Sequence, residues 1–92
     1  MTKISILIPA YNEQDTIIEV LEKISRQSID GFESEVIVID DGSTDKSVQI
    51  IEKRPELYAK LIKQQVNGGK GAAVKAGLKE ASGDYILFQD AD

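Results

Sequence analysis

The chain has 92 residues, a net charge of −5 and neither cysteine nor histidine. This length suits one small domain, and the acidic charge gives no electrostatic footprint for a nucleic acid or an anionic membrane. The missing cysteine and histidine exclude disulfides, thiolate metal sites and imidazole chemistry, which leaves carboxylates acting with hard cations. We expect a cytoplasmic chain, because the sequence has neither a signal-peptide core nor an apolar run of membrane-spanning length.

Four short aliphatic runs predict strands at residues 4–8, 35–39, 59–65 and 85–88. The first two are almost continuously apolar, which is typical of strands covered on both faces of a parallel sheet. Pro9 is expected to end the first strand. The lysines and glutamines of the third strand place it at an edge of the sheet.

Apolar residues at three- and four-residue spacing predict helices between the strands. The first helix is expected to end at about Gln27. The second carries Val48, ends before Pro55 and has Ser43 or Thr44 as its N-cap.

A third helix, with small residues between Ala72 and Leu78, is suited to close packing on the sheet, and Gly83 is expected to stop it. The order of elements is therefore βαβαβαβ. This order predicts an α/β fold with a parallel sheet, right-handed crossovers and helices on both faces. We expect the strand order 3-2-1-4 in one domain that spans residues 1–92.

A polar segment follows each predicted strand, and in open parallel sheets ligands bind beyond the carboxyl ends of the strands. Asp90 and Asp92 stand one residue apart after the last strand, and such carboxylate pairs bind Mg²⁺ or Mn²⁺ that bridges to a phosphate. The four segments are residues 9–13, 40–43, 67–70 and 90–92.

Each segment also has a purely structural interpretation, and the residues alone leave both open. Asp90 and Asp92 are either metal ligands or loop acids, and residues 40–43 are either a binding loop or a turn in which Ser43 is a cap. Pro9 is either a ligand contact or a strand terminator.

Two further segments are equally open. Tyr11 either contacts a ligand or only covers the first turn of a helix. Lys70 either binds phosphate or belongs to a loop that needs glycine at positive φ. The loop is not a Walker loop, because Gln64 replaces its first glycine and no serine or threonine follows Lys70.

Three related α/β classes do not fit the segments after strands 1 and 2. Dinucleotide-binding proteins need a glycine fingerprint after strand 1, and sugar-phosphate nucleotidyltransferases need a glycine-rich basic loop there, where this chain has residues 9–12. A phosphoacceptor receiver domain has paired acids after strand 1, whereas Asp40 and Asp41 follow strand 2. The donor-binding half of a sugar transferase fits best.

Four motifs resemble the N-terminal half of inverting GT-A glycosyltransferases, in particular the synthases of polyprenyl-phosphate sugars such as dolichyl-phosphate mannose or glucose. They are ILIPAYNE at 6–13, VIDDGSTD at 38–45, NGGKGAA at 67–73 and SGDYILFQDAD at 82–92. The resemblance covers essentially the whole chain. It implies transfer of a sugar from a UDP- or GDP-sugar to an acceptor such as a polyprenyl phosphate, with Mg²⁺ or Mn²⁺.

The resemblance also implies a nucleotide-sugar site. Tyr11 is expected near the base, Glu13 near the ribose or base, and Asp41 in a hydrogen bond to the base, so that Asp40 is structural. Asp90 and Asp92 match the metal motif, and the catalytic base stays unknown. The implied site residues are Pro9, Ala10, Tyr11, Glu13, Asp41, Lys70, Asp90 and Asp92.

Members of this family continue past the Asp-x-Asp motif with acceptor-binding elements. We therefore expect a donor-binding subdomain that is truncated at the motif and inactive alone, and a full-length protein that works at the membrane surface. The alternative is a non-catalytic, free-standing α/β fragment that self-associates. Because strand 4, from Tyr85 to Gln89, has an apolar composition and no predicted partner on its outer edge, we expect a homo-oligomer formed through it.

Overall fold

The fold is a four-stranded parallel sheet with helices on both faces. A computed structural model describes residues 1–28 and 30–91. The strands lie in the order β3-β2-β1-β4 and every neighbouring pair is parallel, which confirms the predicted fold class and order. The elements are β1 (Thr2–Ala10), α1 (Ile17–Ser25), β2 (Phe32–Asp41), α2 (Ser47–Glu52), a 3₁₀ turn (Pro55–Leu57), β3 (Lys60–Gln64), α3 (Lys70–Glu80) and β4 (Tyr85–Phe88).

Alternate residues of the central strands pack on opposite sides of the sheet. Ile8 belongs to the cluster under α1 and α2, whereas its neighbour Leu7 belongs to the cluster under α3, and both side chains are fully buried. The small-residue face of α3 does lie close to the sheet, since a Cβ added at Gly77 would be 2.8 Å from Ile39 Cδ1. Burial on both faces explains why β1 and β2 are almost continuously apolar.

Pro9 does not end the first strand, and this prediction was wrong. β1 continues to Ala10, with Pro9 in register with Ile39 of β2. Leu7 accepts a hydrogen bond from the Gln89 amide on the β4 side, so by alternation the nitrogen of Pro9 also faces that side. β4 has ended there at Phe88, and the missing N–H therefore costs no ladder bond.

The predicted ends of two helices were also wrong. α2 begins at Ser47, so Ser43 and Thr44 lie too far upstream to cap it. α3 ends at Glu80, three residues before Gly83, which belongs to the turn that enters β4. These residues instead form hydrogen bonds with parts of the chain that are distant in sequence: Ser43 and Thr44 with Asn12, and Gly83 with Ser5. In the described part of the chain no helix is long and apolar enough to cross a membrane.

Glu35 of β2 is a buried acid in the amino-terminal half of the sheet. Burial by itself raises the pKa of Glu35, but hydrogen bonds from the Ser82 amide and from the Ser5 and Ser82 hydroxyls, with the charge of Lys3, outweigh it and lower this pKa from 4.5 to about 2. The Nζ atoms of Lys3 and Lys60 lie 3.7 and 3.8 Å from Oε1. The ionised carboxylate thus links β1, β2 and the turn before β4.

This environment predicts a pH dependence of folding. Because the pKa of Glu35 is lower in the folded chain, its ionisation stabilises the fold above about pH 4.5, and this contribution is lost as the pH falls towards about 2. We expect the difference in unfolding free energy between the parent and Glu35→Gln to shrink over that interval. Chemical denaturation of both proteins at several pH values measures it, and a constant difference would contradict the role of ionised Glu35.

Candidate functional site

A cavity of about 230 Å³ lies at the carboxyl edge of the sheet. Its lining comes from the ends of β1, β2 and β4 and from the start of α3. Seven of the eight predicted site residues line it, and the eighth, Asp92, lies outside the described residues. The lining residues are Pro9, Ala10, Tyr11, Glu13, Asp41, Lys70, Ala73, Asp90 and Ala91.

Asn12 joins the segment after β1 to the loop after β2. It has a φ of 52°, in the left-handed region that asparagine tolerates better than most residues. Its side-chain Oδ1 accepts hydrogen bonds from the backbone amides of Thr44 at 2.8 Å and Asp45 at 3.2 Å. Its backbone amide donates to Ser43 Oγ at 2.9 Å. Glu13 is held similarly, by its amide donating to Ser47 Oγ at 2.9 Å. The backbone that directly follows Tyr11 is therefore held in place by these hydrogen bonds without a ligand.

The two acids at the end of β2 have different partners. Asp40 is buried and accepts the amide of Ser43 at 3.0 Å and its hydroxyl at 2.5 Å, so it shapes its own loop. Asp41, which is also buried, reaches the loop after β3 and accepts the amides of Gly68 and Gly69 at 3.0 and 2.9 Å. A carboxylate has about four acceptor positions, so Asp41 retains capacity for a donor from a ligand.

Lys70 and Asp90 both line the cavity and form an ion pair with each other. Lys70 Nζ lies 3.1 Å from Asp90 Oδ1, and both side chains are about 70% exposed. Exposed ion pairs of this kind contribute roughly 0–1 kcal/mol. A stronger ligand would therefore displace the contact at little cost.

The donor set for a cation at this edge consists of carboxylate oxygens. Hard oxygen ligands suit Mg²⁺ and Mn²⁺, and Asp90 is accessible from the cavity. Within residues 1–28 and 30–91, however, no three histidine, cysteine, aspartate or glutamate side chains are grouped closely enough to hold a metal. A cation on Asp90 needs further oxygens, such as those of Asp92, a phosphate or water.

Sequence reasoning missed the residues that hold the site together. Asn12 lies inside a recognised motif, and its position directly after a strand was the available signal for a left-handed turn. Thr16, whose hydroxyl donates to the Ala91 carbonyl at 2.8 Å, carries no such signal because its partner is 75 residues away. Thr16 anchors the segment after β4 to the start of α1.

Gly42 is where two loops of the site touch. Its φ is 77°, and an added Cβ would lie 2.6 Å from the Asn67 nitrogen. Asn67 in turn precedes the two amides that Asp41 binds. The close approach at Gly42 therefore brings the loop after β3 within reach of Asp41.

We expect Gly42→Ala to lower the unfolding free energy by about 1–3 kcal/mol, since alanine is strained at this φ and its methyl group meets backbone. Gly71→Ala is the matched control, because an added Cβ there meets nothing within 4 Å and α3 is helical at this position. The control should be neutral or stabilising by up to about 1 kcal/mol. Denaturant titration distinguishes the two, and equal effects would refute the role of Gly42.

Comparisons with known proteins place this geometry in a family. Residues 5–92 match the family described as glycosyl transferase family 2. Poly(ribitol-phosphate) beta-N-acetylglucosaminyltransferase TarS of Staphylococcus aureus is 40% identical over 94 residues, which cover 100% of this chain and 16% of TarS. The dolichyl-phosphate beta-glucosyltransferase of Dictyostelium discoideum is 40% identical over 100 residues, covering 97% of this chain and 30% of the relative.

Solved structures agree with the sequence relatives. S. aureus TarS 1-349 in complex with UDP-GlcNAc superposes with a TM-score of 0.87 at 36% identity, over 99% of this chain and 27% of that one. Mannosyltransferase PcManGT from Pyrobaculum calidifontis, in complex with GDP-Man and Mn²⁺, gives 0.84 at 30% identity, over 97% and 27%. The chain thus spans less than a third of each of these proteins. It belongs to glycosyl transferase family 2.

Proposed function

We propose that this chain binds the nucleoside diphosphate of a UDP- or GDP-linked sugar together with Mg²⁺ or Mn²⁺, as the donor-binding part of a sugar transferase. The observation that carries the proposal is the common cavity of seven predicted residues from four separate segments. These residues come together only because four parallel strands end at one edge. The relatives solved with UDP-GlcNAc and with GDP-Man and Mn²⁺ support the same ligand class.

In this proposal the base and ribose bind at the β1 and β2 end of the cavity. Tyr11, which is 39% exposed, offers an aromatic face for the base. Asp41 accepts a hydrogen bond from the base with its remaining lone pairs, and Glu13 meets the ribose or base. Pro9 and Ala10, at the end of β1, also line this part of the cavity.

The diphosphate binds at the opposite side, where Lys70 and Asp90 meet. Asp90 would hold the cation in place of the Lys70 ammonium, and Lys70 would then be available to a phosphate oxygen. Asp92 is proposed as a second ligand of the cation. Such a cation neutralises the charge that develops on the nucleoside diphosphate as the sugar departs.

The acceptor is proposed to be a polyprenyl phosphate. The dolichyl-phosphate glucosyltransferase relative favours it, whereas the name of TarS points to poly(ribitol-phosphate). An ionised phosphate is already nucleophilic and has little need of a general base. Assayed with the complete transferase of which this chain is proposed to be the donor-binding part, transfer of a labelled sugar to polyprenyl phosphate but not to poly(ribitol phosphate) would support the proposed acceptor, and the reverse would reject it.

We expect UDP or GDP to bind the chain only with Mn²⁺ or Mg²⁺, and Asp90→Asn to weaken that binding at least tenfold, which is the loss expected for about 1.4 kcal/mol. Asp92→Asn should act in the same direction. Calorimetry with Mn²⁺ and with EDTA measures both effects.

Glu52→Gln provides the matched control, because it also removes one negative charge but from an exposed ion pair between α2 and Lys63. It should bind nucleotide as the parent does. Equal nucleotide affinity of the parent in Mn²⁺ and in EDTA would reject the proposed site and favour a non-catalytic fragment.

We also propose that two copies associate through β4. Its four side chains, Tyr85 to Phe88, are 37–62% exposed, and in the described part of the chain only β1 pairs with it. A second cavity, of about 290 Å³, extends this apolar surface on the α1 side and includes Phe32 and Leu87 in its lining. An unpaired apolar edge is a template for another strand, and two-fold dimers are the commonest closed assemblies.

Ile86→Lys and Phe88→Lys are expected to shift the protein towards monomer, because each places a charge on the proposed contact. Leu78→Lys is the control, since Leu78 is 46% exposed on α3, away from the β4 edge. Light scattering over a range of concentrations gives the oligomeric state. A parent that stays monomeric at high concentration would rule out the association.

A further inference from the structure

Glu35 lies in the half of the sheet opposite the candidate site, yet it is the most heavily bonded buried acid described. Its Oε2 accepts the Ser5 hydroxyl at 2.8 Å and the Ser82 amide at 3.0 Å. Its Oε1 lies 3.1 Å from Ser82 Oγ. Neither the proposed binding chemistry nor the family resemblance gives this carboxylate a task.

The partners of Glu35 fix the turn that enters β4. Ser5, whose hydroxyl donates to Glu35, accepts the Gly83 amide at 2.8 Å. The turn touches β1 so closely there that a Cβ at Gly83 would be 2.6 Å from the Ser5 nitrogen. The next residue, Asp84, donates its amide to the Lys3 carbonyl at 2.7 Å and accepts the Lys3 amide at 3.0 Å.

β4 has few other determinants of its position. It has four residues, all with exposed side chains, and it pairs with β1 alone among the described strands. Beyond it, Gln89 donates to the Leu7 carbonyl at 3.0 Å, and the Ala91 carbonyl accepts the Thr16 hydroxyl at 2.8 Å. Side-chain packing therefore specifies the register of β4 weakly, and the anchors at its two ends have to specify it instead.

The register of β4 decides where Asp90 lies. A slip of one residue would move Asp90 by about 3.3 Å and reverse the faces of the strand. In the register observed, Tyr85 lies opposite Ile4 and Phe88 opposite Leu7, which brings Asp90 to the cavity beside Lys70.

We infer that Glu35 is a positioning residue for Asp90: by holding the turn at Ser82 and Gly83 it sets the register of β4 and so delivers Asp90 to the cavity at the far edge. This rests on the proposed function only in treating Asp90 as the cation ligand. Two ammonium groups, those of Lys3 and Lys60, lie 3.7 and 3.8 Å from Glu35 Oε1 and balance part of the charge of this buried carboxylate.

Amide hydrogen exchange followed by NMR tests the register directly. In Glu35→Ala we expect the Asp84 and Gln89 amides, which bond to β1, to exchange at least tenfold faster than in the parent. The Ile50 amide in α2, which bonds to the Lys46 carbonyl, should keep its parent rate. Ser5→Ala, which breaks the link between Glu35 and Gly83, should show the same pattern more weakly and serves if Glu35→Ala does not fold.

Two further variants separate positioning from general stability. Glu35→Gln keeps an acceptor oxygen for Ser5 and Ser82 and should restore most of the protection. Ile51→Val loosens the fully buried core under α2 and should not accelerate Asp84 and Gln89 relative to Ile50. In the binding assay with UDP or GDP and Mn²⁺, Glu35→Ala should lose at least fivefold in affinity, while Ile51→Val keeps the parent value.

Parent-like exchange at Gln89 in Glu35→Ala would overturn the inference. So would faster exchange without any loss of Mn²⁺-dependent affinity, because Asp90 would then not depend on the register. If the parent binds no nucleotide, the proposed function fails, and the exchange rates alone decide whether Glu35 sets the register.

Discussion

Parallel pairing of β1 with both β2 and β4 is the constraint on which the candidate site depends. A parallel neighbour can be reached only by a crossover, so the carboxyl ends of all four strands are brought to the same edge. The segments after β1 and β4 become direct neighbours because these two strands pair, although 75 residues separate Thr16 from Ala91, the pair that joins them. The site is thus a consequence of strand order before any side chain is considered.

Buried carboxylates connect that sheet to its loops at both ends. Near the carboxyl edge Asp41 binds the amides of Gly68 and Gly69, and in the opposite half Glu35 binds the amide of Ser82. In each case a buried side-chain carboxyl group accepts hydrogen bonds from backbone amides of a turn. Charge in this acidic chain therefore has a structural use as well as a proposed use in binding.

The sequence predicted the features that depend on local pattern. Continuous apolar runs identified β1 and β2, the polar composition of β3 placed it at the edge, and the order of elements gave the topology. It failed where a distant partner decides. Ser43 looks like a cap in isolation, but the Asn12 amide and the Asp40 carboxylate bind its hydroxyl. Gly83 looks like a helix stop, but its contact is with Ser5 of β1.

The candidate site shows the same division between local and distant signals. The residues that line the cavity were predictable because they follow strands, whereas Asn12, Thr16 and Glu35 act through partners 30 to 75 residues away. Neither spacing nor composition encodes such a partner. Glu35 in particular reads as an ordinary position in an apolar strand until the register places it beside Ser5.

The contrast between buried and exposed contacts in the site has a physical consequence for binding. The contacts that shape the loops, those of Asn12, Asp40 and Asp41, are already formed without a ligand, so the proposed binding would have little backbone to order and would lose little entropy. The Lys70–Asp90 pair is the exposed exception, and its weak attraction is the contact most easily exchanged. In the proposed complex the diphosphate would meet the Lys70 ammonium and the divalent cation would meet the Asp90 carboxylate. Each ligand group carries more charge than the side chain it would replace. In the proposed function, the preformed part of the site would therefore set where the nucleoside lies, and the Lys70–Asp90 pair would respond to the charged part of the ligand.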